Sequence, residues 1–128
     1  MAMGSTTSPV DVTSTPIGYI MSHEQYGIST YTNNIDSVLI LTNLPVNHDV
    51  VIDFIYIILG NPSNCDEDDK DTLTVTTSQG TEIYRCKSDN SLPSSLTYNT
   101  ATVNSITILF KTGERKGYDG FFLRYKCK

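Results

Sequence analysis

The chain has 128 residues, with 9 basic and 14 acidic side chains, a net charge of −5 and 38% hydrophobic residues. This length supports one domain with one core. The acidic balance argues against a nucleic-acid partner, which needs a basic face, and no apolar run approaches the roughly 20 residues of a membrane helix. An abundance of Thr, Tyr and Val favours strands over helices.

The first residues are expected to lie outside the folded domain. We interpret residues 1–5 as a cloning scar. Residues 6–15 are polar, contain Pro9 and lack periodicity, which predicts a flexible linker. The globular domain is therefore expected over residues 16–127.

Short strand patterns separated by turn residues fill the domain. We predict strands over residues 18–21, 27–32, 37–42, 49–59, 71–77, 81–85, 103–111 and 120–126. The longest, 49–59, is almost continuously apolar, which indicates either a central strand covered on both faces or a long strand with a bulge. A turn at residues 78–80 makes 71–77 and 81–85 a hairpin, and residues 87–102 are expected to be irregular. Together the strands predict an all-β fold, an antiparallel sandwich of two sheets.

The cysteine count of 3 is odd. Cys65 and Cys86 bracket the predicted hairpin, so they could meet at its open end in a disulfide, while two separate buried thiols are the alternative. A zinc site is disfavoured, because only His23 and His48 could add imidazole ligands and neither has metal-site spacing. A structural disulfide would indicate an extracellular setting.

Several segments, in this order, resemble the motifs of the CUB domain, an extracellular β-sandwich module of complement, developmental-protease and spermadhesin proteins. Residues 50–57 resemble the family's long strand, and 120–125 resemble its closing Gly-Phe-x-hydrophobic-x-Tyr signature. Further matches are Cys65, residues 71–75, Cys86 and residues 105–111. The resemblance implies a jelly-roll sandwich, a Cys65–Cys86 disulfide and a secreted or cell-surface protein.

The chain also departs from the family pattern. Ser37 stands near the place of a cysteine of the family's first disulfide, which is therefore missing. Of the family's calcium ligands only Asp71 is matched, because Gly60 stands where a Glu belongs and residues 112–114 contain no Asp. The acidic residues 66–69 could hold a cation in another geometry, although such loops are usually solvated. We therefore expect no cofactor and no metal, with Asp71 the remaining candidate ligand and calcium not favoured.

No catalytic arrangement is visible. His23 beside Glu24 and His48 beside Asp49 are interpreted as surface pairs and not as general bases, and no nucleophile motif accompanies them. We predict a non-enzymatic interaction module for protein recognition or adhesion, taken from a larger extracellular protein with further domains.

Binding is expected on loops at one end of the sandwich, residues 60–71 and 112–117. The candidate contact residues are Tyr26, Tyr31, Asp68, Asp69, Asp71, Glu114, Arg115 and Lys116, with packing in the core or at its rim as the favoured alternative for the two tyrosines. The two loops are opposite in charge and could pair with each other instead.

Two alternative functions stay open. One is a carbohydrate-binding module with a glycan ligand, although the chain has no Trp for a sugar platform. The other is a matrix element cross-linked through Cys127, whose partner would lie outside this fragment or in a second copy.

Overall fold

The computed structural model describes residues 2–3, 8–60, 70–86, 92–114 and 117–128. These residues form strands, turns and irregular segments, and none of them is helical. In particular, none of them forms a helix that is long and apolar enough to cross a membrane. The all-β prediction is confirmed.

Nine strands are present in the described part of the chain. They are β1 (Ser8–Asp11), β2 (Ile17–Met21), β3 (Asp36–Thr42), β4 (Asp49–Ile58), β5 (Thr72–Thr77), β6 (Gly80–Arg85), β7 (Leu96–Asn99), β8 (Ile106–Lys111) and β9 (Gly120–Cys127). They make a four-stranded sheet in the order β2-β9-β4-β7 and a five-stranded sheet in the order β1-β3-β8-β5-β6. All neighbours are antiparallel except β1 and β3, which are parallel.

The core lies between the two sheets and follows from alternation along the strands. In β9, Phe121, Leu123 and Tyr125 share one face and are buried. Phe121 meets Phe110 of β8 edge to face, with ring centroids 5.1 Å apart and an interplanar angle of 86°. Edge-to-face pairs of this kind are favourable beyond the area they bury. The contact therefore joins the inner faces of the two sheets.

The long strand β4 contains a bulge, which is one of the two alternatives predicted. Its pairing with β9 shifts between Phe54 and Tyr56, leaving Ile55 as the extra residue. Phe54 and Ile57 are both buried although they are three positions apart, which simple alternation would not allow. The bulge thus turns Ile57 back toward the core, and it leaves Ile55 exposed.

The N-terminal segment departs from the prediction of a flexible linker over residues 6–15. Residues of this segment form β1, which pairs in parallel with β3, and Val12 is fully buried. Met3 is also buried, and its N–H donates to the carbonyl of Met21. The polar composition does not reveal this strand, because the strand forms by backbone pairing with the free edge of β3. The folded part consequently begins before residue 16.

Two further elements differ from the sequence pattern. Residues 27–32 do not form a strand, because the N–H groups of Ile28 and Ser29 both donate to the carbonyl of Gln25 in local turns. The segment predicted to be irregular contains β7, a short strand that pairs with β4. Its apolar residues Leu96 and Tyr98 pack against the core while Thr97 and Asn99 are exposed, but an alternation over four residues is too short to distinguish a strand in the sequence.

We expect Phe110→Ala to lower the free energy of unfolding by about 3–5 kcal/mol, because it leaves a cavity between the sheets. Urea unfolding followed by circular dichroism measures the change. The control is Ile83→Ala, at an exposed position of β6, which should change stability by no more than about 0.5 kcal/mol. Equal effects of the two substitutions would show that Phe110 does not join the sheets as described.

Candidate binding site on the four-stranded sheet

The outer surface of the four-stranded sheet carries four aromatic side chains, which we name the aromatic face: Tyr19, Tyr26, Tyr56 and Phe122. Phe122 points outward because its neighbours in β9 point into the core. Tyr56 follows the bulge of β4 and pairs with Phe122 across the strands. Tyr19 comes from β2, and Tyr26 comes from the loop after β2. Three strands and one loop therefore contribute to one surface.

The rings of the aromatic face contact one another in series. Phe122 stacks with Tyr19 at 5.4 Å and with Tyr26 at 5.7 Å, each with an interplanar angle of 15°. Tyr26 meets Tyr56 edge to face at 6.1 Å. Because three of the four rings stand on paired strands, the strand backbones hold their positions.

The loop that carries Tyr26 is fastened to the sheet by His23. The His23 ring places Nδ1 2.6 Å from Ser22 Oγ and Nε2 2.7 Å from the carbonyl oxygen of Ser29. A carbonyl only accepts, so Nε2 donates to it, and neutral Nδ1 accepts from the Ser22 hydroxyl. The surface pair predicted for His23 and Glu24 is therefore wrong, because both ring nitrogens are used within the fold. Ser22 is buried, and its hydrogen bond to His23 holds the loop against the sheet.

A cleft of about 280 Å³ opens beside Tyr26, and Tyr56, Asp119 and residues 27–30 form the rest of its wall. The Tyr56 hydroxyl donates to the Asp119 carboxylate at 2.7 Å. Burial, and secondly the negative charge of Asp119, raise the pKa of Tyr26. The cleft thus combines two tyrosine rings with one exposed carboxylate. We name it the Tyr26 cleft.

The structure disperses the residues that the sequence singled out. Tyr26 lines the cleft and Glu114 is exposed. Tyr31, a candidate contact residue with core packing as the favoured alternative, is 2% exposed and meets Phe110 edge to face at 5.1 Å. Tyr31 therefore belongs to the core and is not a contact residue. The remaining loop candidates other than Asp71, namely Asp68, Asp69, Arg115 and Lys116, lie outside the described residues.

Asp71 is also buried, at 2% exposure. Its carboxylate accepts hydrogen bonds from the Tyr31 hydroxyl at 2.5 Å and from the Gly113 N–H at 2.8 Å. The Tyr31 hydroxyl in turn accepts from the Gly60 N–H at 3.1 Å. These bonds tie together three loops at one end of the sandwich, so in this structure Asp71 and Tyr31 have a structural role and are not exposed to a ligand.

The sequence did not identify Tyr19, Tyr56, Phe122 and Asp119 as candidates. Outward alternation in β9 marks Phe122 as a surface aromatic, and this was the one available signal. The others join it through strand pairing across long separations in the chain, which one sequence does not disclose.

Solved structures of low sequence identity share this fold. The CUB1-EGF-CUB2 domains of rat MASP-1 match with a TM-score of 0.73 and 13% identity, over 96% of this chain and 43% of that one. The MASP-1 CUB2 domain bound to Ca2+ matches with a TM-score of 0.67 and 14% identity, over 96% and 98%. This chain has a CUB-like fold. The full extracellular region of zebrafish Gpr126/Adgrg6 matches as well, with a TM-score of 0.71 and 15% identity, over 96% and 14%.

The likeness to these structures is one of fold. No family model matches the sequence, and no curated protein matches it. The chain spans 14% of the Gpr126/Adgrg6 region and 43% of the rat MASP-1 fragment, but almost all of the single CUB2 domain. The CUB-like domain therefore corresponds to one module of those longer chains.

The described residues of the CUB-like domain do not fit a calcium site of the family type, of whose ligands the sequence keeps only Asp71. Both carboxylate oxygens of Asp71 already accept hydrogen bonds, and Gly60 supplies a backbone N–H where the family has a Glu. Among these residues no three His, Cys, Asp or Glu side chains gather closely enough to hold a metal ion. At this end of the domain, uncharged donors satisfy the buried carboxylate.

The cysteines of the CUB-like domain differ in setting. Cys127 ends β9 as a free, half-buried thiol that packs against the core, and burial raises its pKa. A raised pKa lowers the thiolate fraction and with it the reactivity. Cys86 follows β6 and is not a free thiol, which supports a disulfide. Its expected partner, Cys65, lies outside the described residues, so the Cys65–Cys86 pairing stays a prediction.

Calcium is expected to leave the melting temperature of the EDTA-treated domain unchanged, since a ligand stabilises only the state that binds it. Asp71→Asn should lower the free energy of unfolding by about 1–3 kcal/mol with or without calcium, because the side-chain amide cannot accept both hydrogen bonds as the carboxylate does. Differential scanning fluorimetry and urea unfolding measure the two effects. A calcium-dependent rise of several degrees that Asp71→Asn abolishes would contradict this expectation.

Alkylation followed by intact mass spectrometry tests the cysteine assignment. The native domain should react slowly, the denatured unreduced chain should add one alkyl group at Cys127, and the reduced chain should add three. Reduction should also lower the free energy of unfolding by about 3 kcal/mol in the loop-entropy model. Cys127→Ser is the control and should add none before reduction. Three adducts before reduction would rule out the bridge, and a dimer mass that reduction removes would support cross-linking through Cys127.

Proposed function

We propose that this chain is a non-enzymatic interaction module of a larger extracellular protein, and that it recognises a protein partner through the aromatic face. The observation that carries the proposal is the preorganised row of aromatic rings on the outer surface of the four-stranded sheet, in which Tyr19 is exposed and the other three rings are half-buried. Tyrosines positioned in this way dominate the energetics of many protein interfaces.

Exposed apolar side chains extend the aromatic face. Tyr19 is 46% exposed, Ile17 on the same strand is 51% exposed, and Ile28 at the cleft is 83% exposed. Single exposed apolar residues are ordinary, whereas a group on one surface is typical of a docking site. Together with the rings, these residues supply the apolar centre of a contact area.

Polar groups border the same surface. Arg124 of β9 pairs with Asp53 of β4 at 2.7 Å, and Ser95 donates to the same carboxylate at 2.5 Å. These hydrogen bonds, from Ser95 first and then Arg124, lower the pKa of Asp53. Both members of the ion pair are partly exposed, with 40% of Arg124 and 26% of Asp53 accessible. An apolar centre with a charged rim is the usual anatomy of a protein interface.

The extracellular assignment is supported by the CUB-like fold, by the expected Cys65–Cys86 disulfide, and by the similarity to the extracellular region of zebrafish Gpr126/Adgrg6. For each of the longer neighbours, the match covers one part of a chain. We accordingly place the module in a longer secreted or cell-surface protein that has further domains.

Carbohydrate binding is the second candidate, because the aromatic face provides a ring surface despite the lack of Trp. The stacking argues for a protein partner instead. Phe122 stacks with Tyr19 and with Tyr26, and these contacts reduce the ring surface left free for a sugar. A matrix role through Cys127 is less well supported, since the thiol is half-buried and its pKa is raised.

A tetramerised, fluorescent form of the domain should bind saturably to cells that display extracellular proteins. Protease treatment of the cells should abolish binding, and glycosidase treatment should leave it intact. Tyr19→Ala should weaken binding by about tenfold or more, as truncation of an interface tyrosine does.

The matched control is Ile83→Ala, which alters an exposed apolar residue on the other sheet and should leave binding unchanged. An unaltered urea midpoint for Tyr19→Ala would establish that the fold is retained. Absence of saturable binding, or binding that glycosidase removes and protease does not, would overturn recognition of a protein.

A further inference from the structure

The Tyr26 cleft has a size that suits one side chain. Its volume is about 280 Å³, just below the roughly 300–1,000 Å³ of pockets that hold drug-sized ligands. The cleft opens on the aromatic face, where a docked protein would cover it. A single projecting residue of that protein is therefore a better match than a free cofactor or an extended sugar chain.

The charge of the cleft comes from Asp119, which is exposed. One of its carboxylate oxygens accepts from Tyr56 at 2.7 Å. The salt bridge found among the described residues joins Arg124 to Asp53, so no described basic side chain neutralises Asp119. The carboxylate therefore has a second oxygen available to accept hydrogen bonds.

The remaining walls also favour a cation. Tyr26 and Tyr56 contact each other at 6.1 Å with their rings inclined by 72°, and tyrosine rings attract cations through the negative potential of their faces. The hydroxyl groups of Ser29 and Thr30, which line the same cleft, can accept hydrogen bonds. An anion would meet the Asp119 charge with no described cation in the lining to offset it.

We propose that the Tyr26 cleft receives a basic side chain, lysine or arginine, that the protein partner projects into it. This inference rests on the proposed function and names the chemistry of its ligand. Asp119 pairs with the cationic head, while Tyr26 and Tyr56 contact the cation and its aliphatic stem. Tyr56 has a second role, since its hydrogen bond positions the carboxylate.

Nuclear magnetic resonance titration of the ¹⁵N-labelled domain tests the cleft directly. The probe is Nα-acetyl-lysine methylamide, and the norleucine analogue, which lacks the charged ammonium group, is the matched control probe. We expect saturable shifts at the amides of residues 27–30 and Asp119 with lysine, in the millimolar range. Norleucine should give much smaller shifts, and high salt should weaken the lysine response because it screens an exposed charge pair.

Two substitutions separate the charge from the fold. Asp119→Asn keeps an acceptor for the Tyr56 hydroxyl and should weaken lysine binding by about tenfold, as expected for the loss of a charged hydrogen bond. Asp36→Asn removes an exposed carboxylate at the start of β3, on the other sheet, and should leave the affinity unchanged.

Equal responses to lysine and norleucine, or full affinity in Asp119→Asn, would overturn the assignment. A methyl glycoside that saturably shifts residues 27–30 where lysine does not would replace it with a sugar site. If the lysine probe fails while Tyr19-dependent cell binding persists, only the cleft assignment falls. If lysine binds but no cell-surface protein does, the proposed function falls and the cleft chemistry stands.

Discussion

Phe121 and Phe122 are adjacent in β9 and point to opposite faces of the four-stranded sheet, and the rest of the structure depends on this alternation. Phe121 meets Phe110 across the core and so joins the two sheets. Phe122 stacks with Tyr19 and Tyr26 on the outside and so organises the candidate binding surface. Because one strand makes both contacts, the packed core also holds the aromatic face in position. A shift of one residue in the register of β9 would exchange the two faces.

At one end of the sandwich, a hydrogen-bonded network around Asp71, the one matched residue of the family's calcium ligands, holds the loops together. The buried carboxylate accepts from the Tyr31 hydroxyl and the Gly113 N–H. Gly117 passes so close to Tyr31 that a β-carbon there would lie 1.7 Å from the Tyr31 carbonyl oxygen, so only glycine fits. The proposed contact surface is instead built from the outer face of the sheet and from the loop that His23 fastens. The loss of the family's calcium ligands at the Asp71 end is consistent with a contact surface that lies elsewhere, on the outer face of the sheet.

Parts of the fold could be predicted because their signals are local. Alternation along β9 places Phe121, Leu123 and Tyr125 on one face, which the structure buries, and the dense apolar run of β4 indicated a long inner strand with a bulge as one alternative. β1 could not be predicted, because it is stabilised by pairing with the distant edge of β3, which its own short sequence does not indicate. The sequence left Tyr31 between a contact role and the core, because the buried partner of its hydroxyl lies 40 positions away.

The sequence by itself determined the all-β class and the hairpin of β5 and β6, since periods of two and turn residues are written in neighbouring positions. It also determined that this chain keeps one residue, Asp71, of the family's calcium ligands. Only the tertiary structure decided where a partner could bind. Tyr19, Tyr26, Tyr56, Asp119 and Phe122 become neighbours through strand pairing and loop packing. Their proximity is a property of the assembled sheet, which no local pattern encodes.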